Sequence, residues 1–522
     1  MDFYKLKCRY DETRQYKDRW LGLYKDLYFY VIPDRDAFNV KWNYRDDGKP
    51  TTVQVWDNTA VLAAYQRAND LHGLLLPKDR IWGKLVLDPH LFSDEEIEFA
   101  RPVMDEINDR IFFYLNESNL SRVVSSSNLD LVGGTGAIWV ESISDDVPLY
   151  FRSIPSVALY IEYSNDDVLN TCWYQCKMSG RQVLETFPDY RGSRYGSYLQ
   201  DPDAMVVVIY GQIKQTDGKF YIYAVLEEDP FYPLWERDSN YPQIIIYRDR
   251  VRPGESDGRG VGMDLLPAIR DLNRVVEYDR KSLAFKAYPP MLYDSNTYFN
   301  PYSVRQWAGA FIARAPGTHP IEPITMPTSP ETLPAIQHLQ ETIMRGFQVD
   351  PLGEINAPVK SATEVSIREN RAQRTSATDI SRLINELPKQ IYDVAGKILS
   401  ERRLLDRGRK FQLNQSVKKL KFQFESPLYD LQKQDDLNHF IMNMQIKQQF
   451  FGQAAAMATA NLFEVNKFLT NNLNLHSRLF KNDAELQEVI NNITEAQQRA
   501  ALPTPSTSAG RVEFPGRPQV TI

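Results

Sequence analysis

Cysteine and histidine are scarce in this chain, at 3 Cys and 6 His in 522 residues. The three thiols, Cys8, Cys172 and Cys176, cannot build a disulfide framework, and scattered imidazoles offer little for a zinc cage. That scarcity fits folding in a reducing cytosol. No stretch reaches the roughly 18 apolar residues of a membrane span. The opening segment MDFYKLKCRYDETRQYKDRW carries charges where a signal peptide would place its apolar run. The expectation is a chain neither secreted nor membrane-spanning. Basic excess is missing too. With 61 Lys and Arg against 68 Asp and Glu the formal net charge is −7, so the chain lacks the positive balance by which proteins hold phosphates through counterion release. Any nucleic acid it handles is expected to be contacted weakly.

What is present is a folded protein. A hydrophobic content of 43% fills real cores, and the length corresponds to roughly three domains. The aromatic content of 12% (29 Tyr, 25 Phe, 8 Trp) exceeds the usual need of one monomer's cores. Surplus Tyr and Trp often sit in subunit interfaces, which favours an assembly.

Periodicity orders the chain as α+β. Tyr16, Trp20, Leu23, Tyr24, Leu27 and Tyr28 recur at helical spacing and predict one helix over 11–33, ended by Pro33. Asp57 or Asn58 can cap a helix over 59–76, and SDEE from Ser93 is a capping box opening a helix to about Tyr114. From Gly133 the pattern shifts to short β-branched and aromatic runs, GGTGAIWVES to PQIIIYRDRV, that predict an antiparallel sheet between helical blocks. After GESDGRGVG, a helix from Met263 to about Tyr288 carries Leu265, Leu266, Ile269, Leu272, Val275 and Val276 on one face, stopped by Pro289 and Pro290. Residues 291–330 are irregular and Pro-rich, with extended pieces AGAFIARA and HPIEPITM. Helix returns from Ser329 to Phe347, breaks in VDPLGEINAPVK, and restarts at Ser361 as a long helix that Pro388 should kink. One strand, VKKLKFQFESP, precedes a mostly helical region to about Ala500 and a tail of disordered composition.

Candidate chemistry is thin. Gly258, Gly260 and Gly262 resemble half of a nucleotide-binding glycine pattern, but Met263 and Asp264 stand where a P-loop needs Lys and Ser or Thr. A turn-and-cap role fits better. GGTG at Gly133 to Gly136 precedes an apolar strand, not a helix, and marks a tight bend. Cys172 and Cys176 share one strand face without a His or second Cys pair nearby and read as buried small hydrophobes. The acidic pairs Asp145 and Asp146, Glu227 and Glu228, and Asp435 and Asp436 lack a converging His, Lys or Arg and read as solvated charges. Arg368, Arg371, Arg374 and Arg382 are mixed with Glu364, Glu369, Asp379 and Glu386, a salt-laced face and not a nucleic-acid stripe. No nucleophile-elbow context appears. The expectation is a protein that is not an enzyme and needs no cofactor or metal.

Three stretches then resemble one family. QVWDNTAVLAAYQRANDLHGLLLPKDRIWGKL is a helix that ends in a Leu-Pro turn and an aromatic. GRGVGMDLLPAIRDLNRVVEYDRKSLAFKAYPPML has a Gly-Arg-Gly turn, an early Pro, Leu272 and Asn273, and a Pro-Pro stop. SATEVSIRENRAQRTSATDISRLINELPKQIYDVAGKIL is a Thr-Glu-Val helix with a later Leu and Pro. In this order they resemble the head-to-tail connector, or portal, family of short-tailed bacteriophages. The resemblance implies a portal fold: N-terminal helices and an α/β wing over 1–262, a first stem helix over 263–288, and a clip over 289–328. A second stem helix over 329–348 and a tunnel loop over 349–360 follow. The long kinked helix and returning wing strand occupy 361–425, a helical crown 426–500 and a flexible tail 501–522.

It also implies a homo-oligomeric ring, usually of twelve copies, at one capsid vertex of the virion, assembled in the host cytoplasm. Its partners would be the major capsid protein, a tail adaptor, the terminase packaging motor and double-stranded DNA passing through the channel, with no membrane. Asp350, Leu352, Glu354, Asn356 and Lys360 would be the DNA-facing tunnel loop, Tyr298, Phe299, Tyr302 and Trp307 the adaptor-facing clip, and Gly258, Arg259 and Gly260 the stem turn. DNA that must slide is best held weakly at each phosphate, which agrees with the acidic balance. Two other readings stay open, another head-tail structural protein such as an adaptor, and a nucleotide-dependent enzyme built on the GRGVG turn.

Overall fold

The computed structural model describes residues 3–33, 55–78, 81–88, 90–163, 169–192, 194–294, 307–314, 321–324, 332–347, 382–405, 420–424, 427–451 and 465. The chain divides into two compact units, one of Met1–Ile97 with Glu106–Tyr429 and one of Glu98–Asp105 with Asp430–Ile522.

Phe3–Asp18 and Leu21–Tyr30 form helices α1 and α2, where apolar spacing alone predicts a single helix over 11–33. The chain turns at Arg19 and Trp20 because its two halves serve different cores. Leu6 and Tyr10 pack on a sheet, whereas Tyr24, Leu27 and Tyr28 pack among helices. Helix α3 (Thr59–Leu75) follows, its first turn held by Asp57 Oδ1, which accepts the Thr59 N–H at 2.8 Å. Strand β1 (Gly83–Leu87) leads to α4 (Asp94–Glu117). The SDEE box forms as expected: Ser93 Oγ accepts the Glu96 N–H at 3.4 Å and Glu96 Oε2 accepts the Ser93 N–H at 2.9 Å, a cap that contributes about 1 kcal/mol. Helix α5 (Leu120–Leu131) breaks no sequence rule, yet its serine run masks it; it buries Leu120, Val123, Val124 and Leu131.

The sheet region comprises β2 (Thr135–Glu141), β3 (Tyr150–Ile154), β4 (Leu159–Tyr163) and β5 (Leu169–Ser179). Short helices α6 (Gly180–Thr186) and α7 (Tyr195–Gln200) come next. Strands β6 (Met205–Lys214), β7 (Phe220–Leu226), β8 (Pro233–Ser239) and β9 (Ile244–Arg248) complete it. Two antiparallel sheets result, β4-β5-β6-β7-β8 and β3-β2-β9. Strand β8 escapes the sequence pattern because it is an edge whose Glu236, Arg237 and Asp238 face solvent, charges that block pairing with another chain.

Alternation along these strands splits the interior in two. One face of the five-stranded sheet, with Trp173, Ile209, Ile213, Tyr223 and Val225, receives Leu6 and Tyr10 of α1. The other, with Cys172, Cys176, Val208 and Ala224, meets Ala137, Trp139, Ile244 and Ile246 of the second sheet. Both cysteines are thus core residues, as their spacing predicts, and burial raises the Cys176 thiol to about 12. Gln212 pins the sheets together: its Oε1 accepts the N–H groups of Gln243 and Ile244 at 2.6 and 2.9 Å. The aromatic surplus is spent here as well. Trp20, Trp82, Trp139 and Trp173 are all buried, so part of the aromatic content serves internal packing.

Helix α8 (Val261–Ala287) leaves the sheets. Strands β10 (Met291–Asp294), β11 (Phe311–Arg314) and β12 (Glu322–Pro323) form a small sheet, β10 parallel to β11 and antiparallel to β12. Helix α9 (Thr332–Gly346) returns along α8. A helical turn over 382–386 is followed by α10 (Pro388–Glu401), in which Pro388 occupies the first turn after a break at Leu387; residues 361–381 of the expected long helix lie outside the described residues. Strand β13 (Leu420–Phe424) pairs antiparallel with β1. Helix α11 (Pro427–Phe451) follows; its residues from Asp430 on belong to the second unit, as do Glu98–Asp105 of α4. The fold class is α+β, and no described helix is long and apolar enough to cross a membrane.

Candidate functional site

The foot of α8 meets the turn between α5 and β2 and the residues that follow β9. Its N-terminal glycines are demanded by close backbone approach: a Cβ on Gly258 would lie 2.1 Å from the Gly134 carbonyl oxygen, and one on Gly260 2.0 Å from that of Val132. Gly134 also adopts φ +109, a region open chiefly to glycine. The two glycine clusters that look like fragments of phosphate loops are therefore one joint, locked against each other. Their N–H groups are already engaged, Gly258 with Thr135 Oγ1 at 2.9 Å and Gly262 with the Val132 carbonyl at 3.1 Å. This is the turn-and-cap role, and it leaves no cradle for a phosphate at those groups.

Charged side chains bolt the joint to its surroundings. Arg259 makes a two-pronged pair with Glu255 at 2.7 and 2.8 Å and lies over the Trp20 ring, 4.7 Å from its centroid. Those hydrogen bonds hold the Glu255 carboxyl below its usual range. Lys17 Nζ reaches Asp257 Oδ1 at 2.5 Å with the two side chains 1% and 2% exposed, and it sits 4.7 Å from the centre of the Tyr24 ring. Arg67 and Asp249 pair at 3.8 Å. The fully buried Arg248 donates its backbone N–H to Glu386 Oε2 at 2.7 Å. Burial raises the Glu386 carboxyl above its usual range, with Arg248 opposing.

Above the foot, α8 changes character. Met263, Leu266, Ile269, Leu272 and Val276 are buried with Ile343 of α9 and with Phe347 just past its end. Asn273 completes this half: its Oδ1 accepts the N–H groups of Trp56 and Asp57 at 3.0 and 3.2 Å, while Gln340 donates to Asp57 Oδ2 at 2.9 Å. Beyond Val276 the apolar residues emerge. Tyr278, Leu283 and Tyr288 on α8 and Leu333 on α9 are exposed. So are Trp307 (59%), Phe311 (69%) and Ile321 of the small sheet and its approach. Arg314 tethers that sheet through Asp294 at 2.5 Å and Glu322 at 3.6 Å. A single chain thus leaves several large apolar side chains, Trp307 and Phe311 among them, in water at one end of a helical hairpin, as at surfaces that other molecules complete.

Of the residues singled out by sequence, Gly258, Arg259 and Gly260 meet at the foot, and Trp307 stands exposed beside the small sheet. Tyr298, Phe299 and Tyr302, and the loop residues Asp350, Leu352, Glu354, Asn356 and Lys360, lie outside the described residues, as do Arg368, Arg371 and Arg374. Arg382 pairs with Glu386 at 3.9 Å, in keeping with a salt-laced face. The acidic pairs hold partners: Asp145 binds Arg402 at 2.5 Å, Glu227 binds Arg14 at 2.5 Å and Glu228 binds Arg194 at 3.1 Å. Asp435 and Asp436 have no described side chains. Among the described residues no group of three or more His, Cys, Asp or Glu is placed to hold a metal. Sequence reasoning missed Lys17, Arg67, Arg248 and Asp257. Only Lys17 left a trace, standing seven residues from both Tyr10 and Tyr24 on an otherwise apolar stripe.

Comparison with known proteins agrees with the sequence resemblance. The family model described as bacteriophage head to tail connecting protein matches residues 4–477. No curated protein matches the chain. Among solved structures, a chain of the neck of an empty GTA particle computed with C6 symmetry aligns at 10% identity, covering 79% of this chain and 90% of that one. Its TM-score of 0.32 is too low to argue from, so the family assignment rests on the model match.

Proposed function

This chain belongs to the bacteriophage head-to-tail connecting protein family, and from that premise we propose that it is a portal subunit. It forms a ring at one vertex of the capsid, a channel for genome packaging and ejection and the seat of a short tail. The role is structural, not catalytic. The observation that carries this reading is the exposed apolar end of the α8–α9 hairpin, where Tyr278, Leu283, Tyr288, Trp307 and Phe311 lack cover in one chain. Adjacent copies in a ring and a docked partner at its end would supply that cover.

In this reading α8 and α9 are the two stem helices, and residues 289–328 are the clip. Residues 349–360 are the loop that faces DNA, with Asp350, Leu352, Glu354, Asn356 and Lys360 its contacts. The wing comprises 1–262 and the strand returning at β13, and residues 426–500 and 501–522 are the crown and tail. The pairing of β13 with β1 supports a chain that returns to the wing after the long helix. A net charge of −7 suits a channel through which DNA slides, since few phosphates would be neutralised. A twelve-copy ring, the capsid protein, a tail adaptor and a terminase motor complete the set of partners.

Replacing Tyr302 and Trp307 together by Ala tests the docking end. Rings are expected to form while adaptor attachment weakens in a pull-down with the purified adaptor. Loss of the rings themselves, read by light scattering, would move these residues to the subunit interface and overturn their assignment.

A further inference from the structure

The chain leaves the described fold at Phe347 and re-enters it at Arg382, and both ends are held at one dipeptide. Arg67 Nη1 donates to the Phe347 carbonyl oxygen at 3.2 Å, and its Nη2 lies 3.8 Å from Asp249 Oδ2. The next residue back, Arg248, donates its backbone N–H to Glu386 Oε2 at 2.7 Å and its Nη2 to Glu386 Oε1 at 3.4 Å. The contacts therefore run without a gap from Phe347 through Arg67, Asp249 and Arg248 to Glu386. Arg67, Arg248 and Asp249 are all buried, and the Arg248 guanidinium also lies 3.6 Å from the centre of the Tyr163 ring.

We propose that Arg67, Arg248, Asp249 and Glu386 are positioning residues, an ionic clamp that fixes where residues 348–381 depart from and return to the stem foot. This builds on the reading that 349–360 faces DNA. A clamp of charges is the informative choice here. Apolar side chains of similar volume would seal the same space at no loss of stability, whereas paired charges specify one arrangement of the groups they join. Guanidinium groups add direction, since their fixed fork binds a carboxylate or a carbonyl in few orientations. Because β9 and the glycine joint share the same backbone, the base of the segment is referenced directly to the foot of α8. A displacement of the foot would carry both ends of the segment with it. The Lys17–Asp257 pair is equally buried but touches neither end, which makes it the natural control.

The experiment is native-state trypsin digestion of the full chain, with cleavage after Arg345 and Arg382, the described sites that flank the segment, followed by mass spectrometry and the urea midpoint measured in parallel. For Glu386→Gln and Arg67→Met, cleavage at these sites is expected to rise about tenfold over the parent chain, because proteolysis tracks the population of locally open chain. Cleavage at the other sites should stay within about twofold in the same digests. Arg67→Lys keeps the charge toward Asp249 but not the fork, and should fall between. Lys17→Met should leave the ratio of flanking-site to other cleavage unchanged. Unchanged cleavage at the flanking sites in both clamp variants, or an equal rise in the ratio of flanking-site to other cleavage in Lys17→Met, would overturn the clamp. Arg67→Lys decides the matter if Arg67→Met does not fold, since parent-like cleavage there would again refute it. Ring formation is read separately by light scattering, so failure of the clamp and failure of the portal reading give different results.

Discussion

Lys17→Met is the sharpest perturbation of the joint at the foot of α8. In the native fold Lys17 and Asp257 are 1% and 2% exposed and 2.5 Å apart, with the ammonium also 4.7 Å from the Tyr24 ring centre. Removing the lysine leaves a carboxylate buried among apolar groups without its counter-charge. Breaking a buried pair in this way costs about 3–5 kcal/mol, and the lost cation–π contact adds roughly 1 kcal/mol. That is a large share of the 5–15 kcal/mol that holds typical domains. The double variant Lys17→Met with Asp257→Leu removes both charges and should recover all but about 1–2 kcal/mol, because an apolar pair of similar volume substitutes well for a buried ion pair. The assay is urea unfolding monitored by the fluorescence of buried tryptophans, Trp20 among them, as a double-mutant cycle. The effect should also persist in high salt, since screening scarcely reaches a buried pair. A single-variant cost under about 1 kcal/mol, or a double variant that costs the sum of the two singles, would refute the reasoning.

Other outcomes follow from the same structure. Gly258→Ala places a methyl 2.1 Å from the Gly134 carbonyl oxygen and should lower stability by at least about 3 kcal/mol or abolish soluble folding, whereas Gly196→Ala, whose Cβ meets nothing within 4 Å, should express normally. With Cys176 raised to about 12 by burial and Cys172 raised further in the same direction, neither thiol ionises at pH 8; a thiol reagent should titrate Cys8 alone, which is exposed, until urea frees the others. Burial raises the Asp393 carboxyl against the opposing pull of Lys397 and Lys389, so its ionised form disfavours the fold. Asp393→Asn should therefore raise the urea midpoint at pH 8, and the gain should vanish as pH falls below about 4, where the carboxyl is protonated in folded and unfolded chains alike.

Local chemistry made much of this legible. Leu266, Ile269, Leu272 and Val276 drew the inner stripe of α8 and Pro289 with Pro290 its stop, and the structure places the helix over Val261–Ala287. Cys172 and Cys176 were assigned to a core face by spacing alone, and the SDEE box by its four residues. What sequence could not show is contact across distance. Lys17 and Asp257 are 240 positions apart, Arg67 and Phe347 are 280 apart, and neither partner announces the other. The break between α1 and α2 was hidden for the same reason, since a stripe shows that a face is apolar but not which core receives it. Strand β8 was hidden because an edge strand carries the charges of a loop. The aromatic count could not sort one ring from another: Tyr10, Tyr24, Tyr28, Tyr223 and Tyr247 are internal, whereas Tyr278, Tyr288, Trp307 and Phe311 are exposed. The case for assembly passed instead to a few exposed residues, Tyr278, Leu283, Tyr288, Trp307 and Phe311, and to the family match.

Closure of this chain into a ring around a channel is decided by electron microscopy of the purified protein. Closed rings with a central hole wide enough for duplex DNA are expected, with the α8–α9 hairpins lining it. Particles that remain monomeric under packaging-like ionic conditions, or that assemble without a central opening, would contradict ring closure.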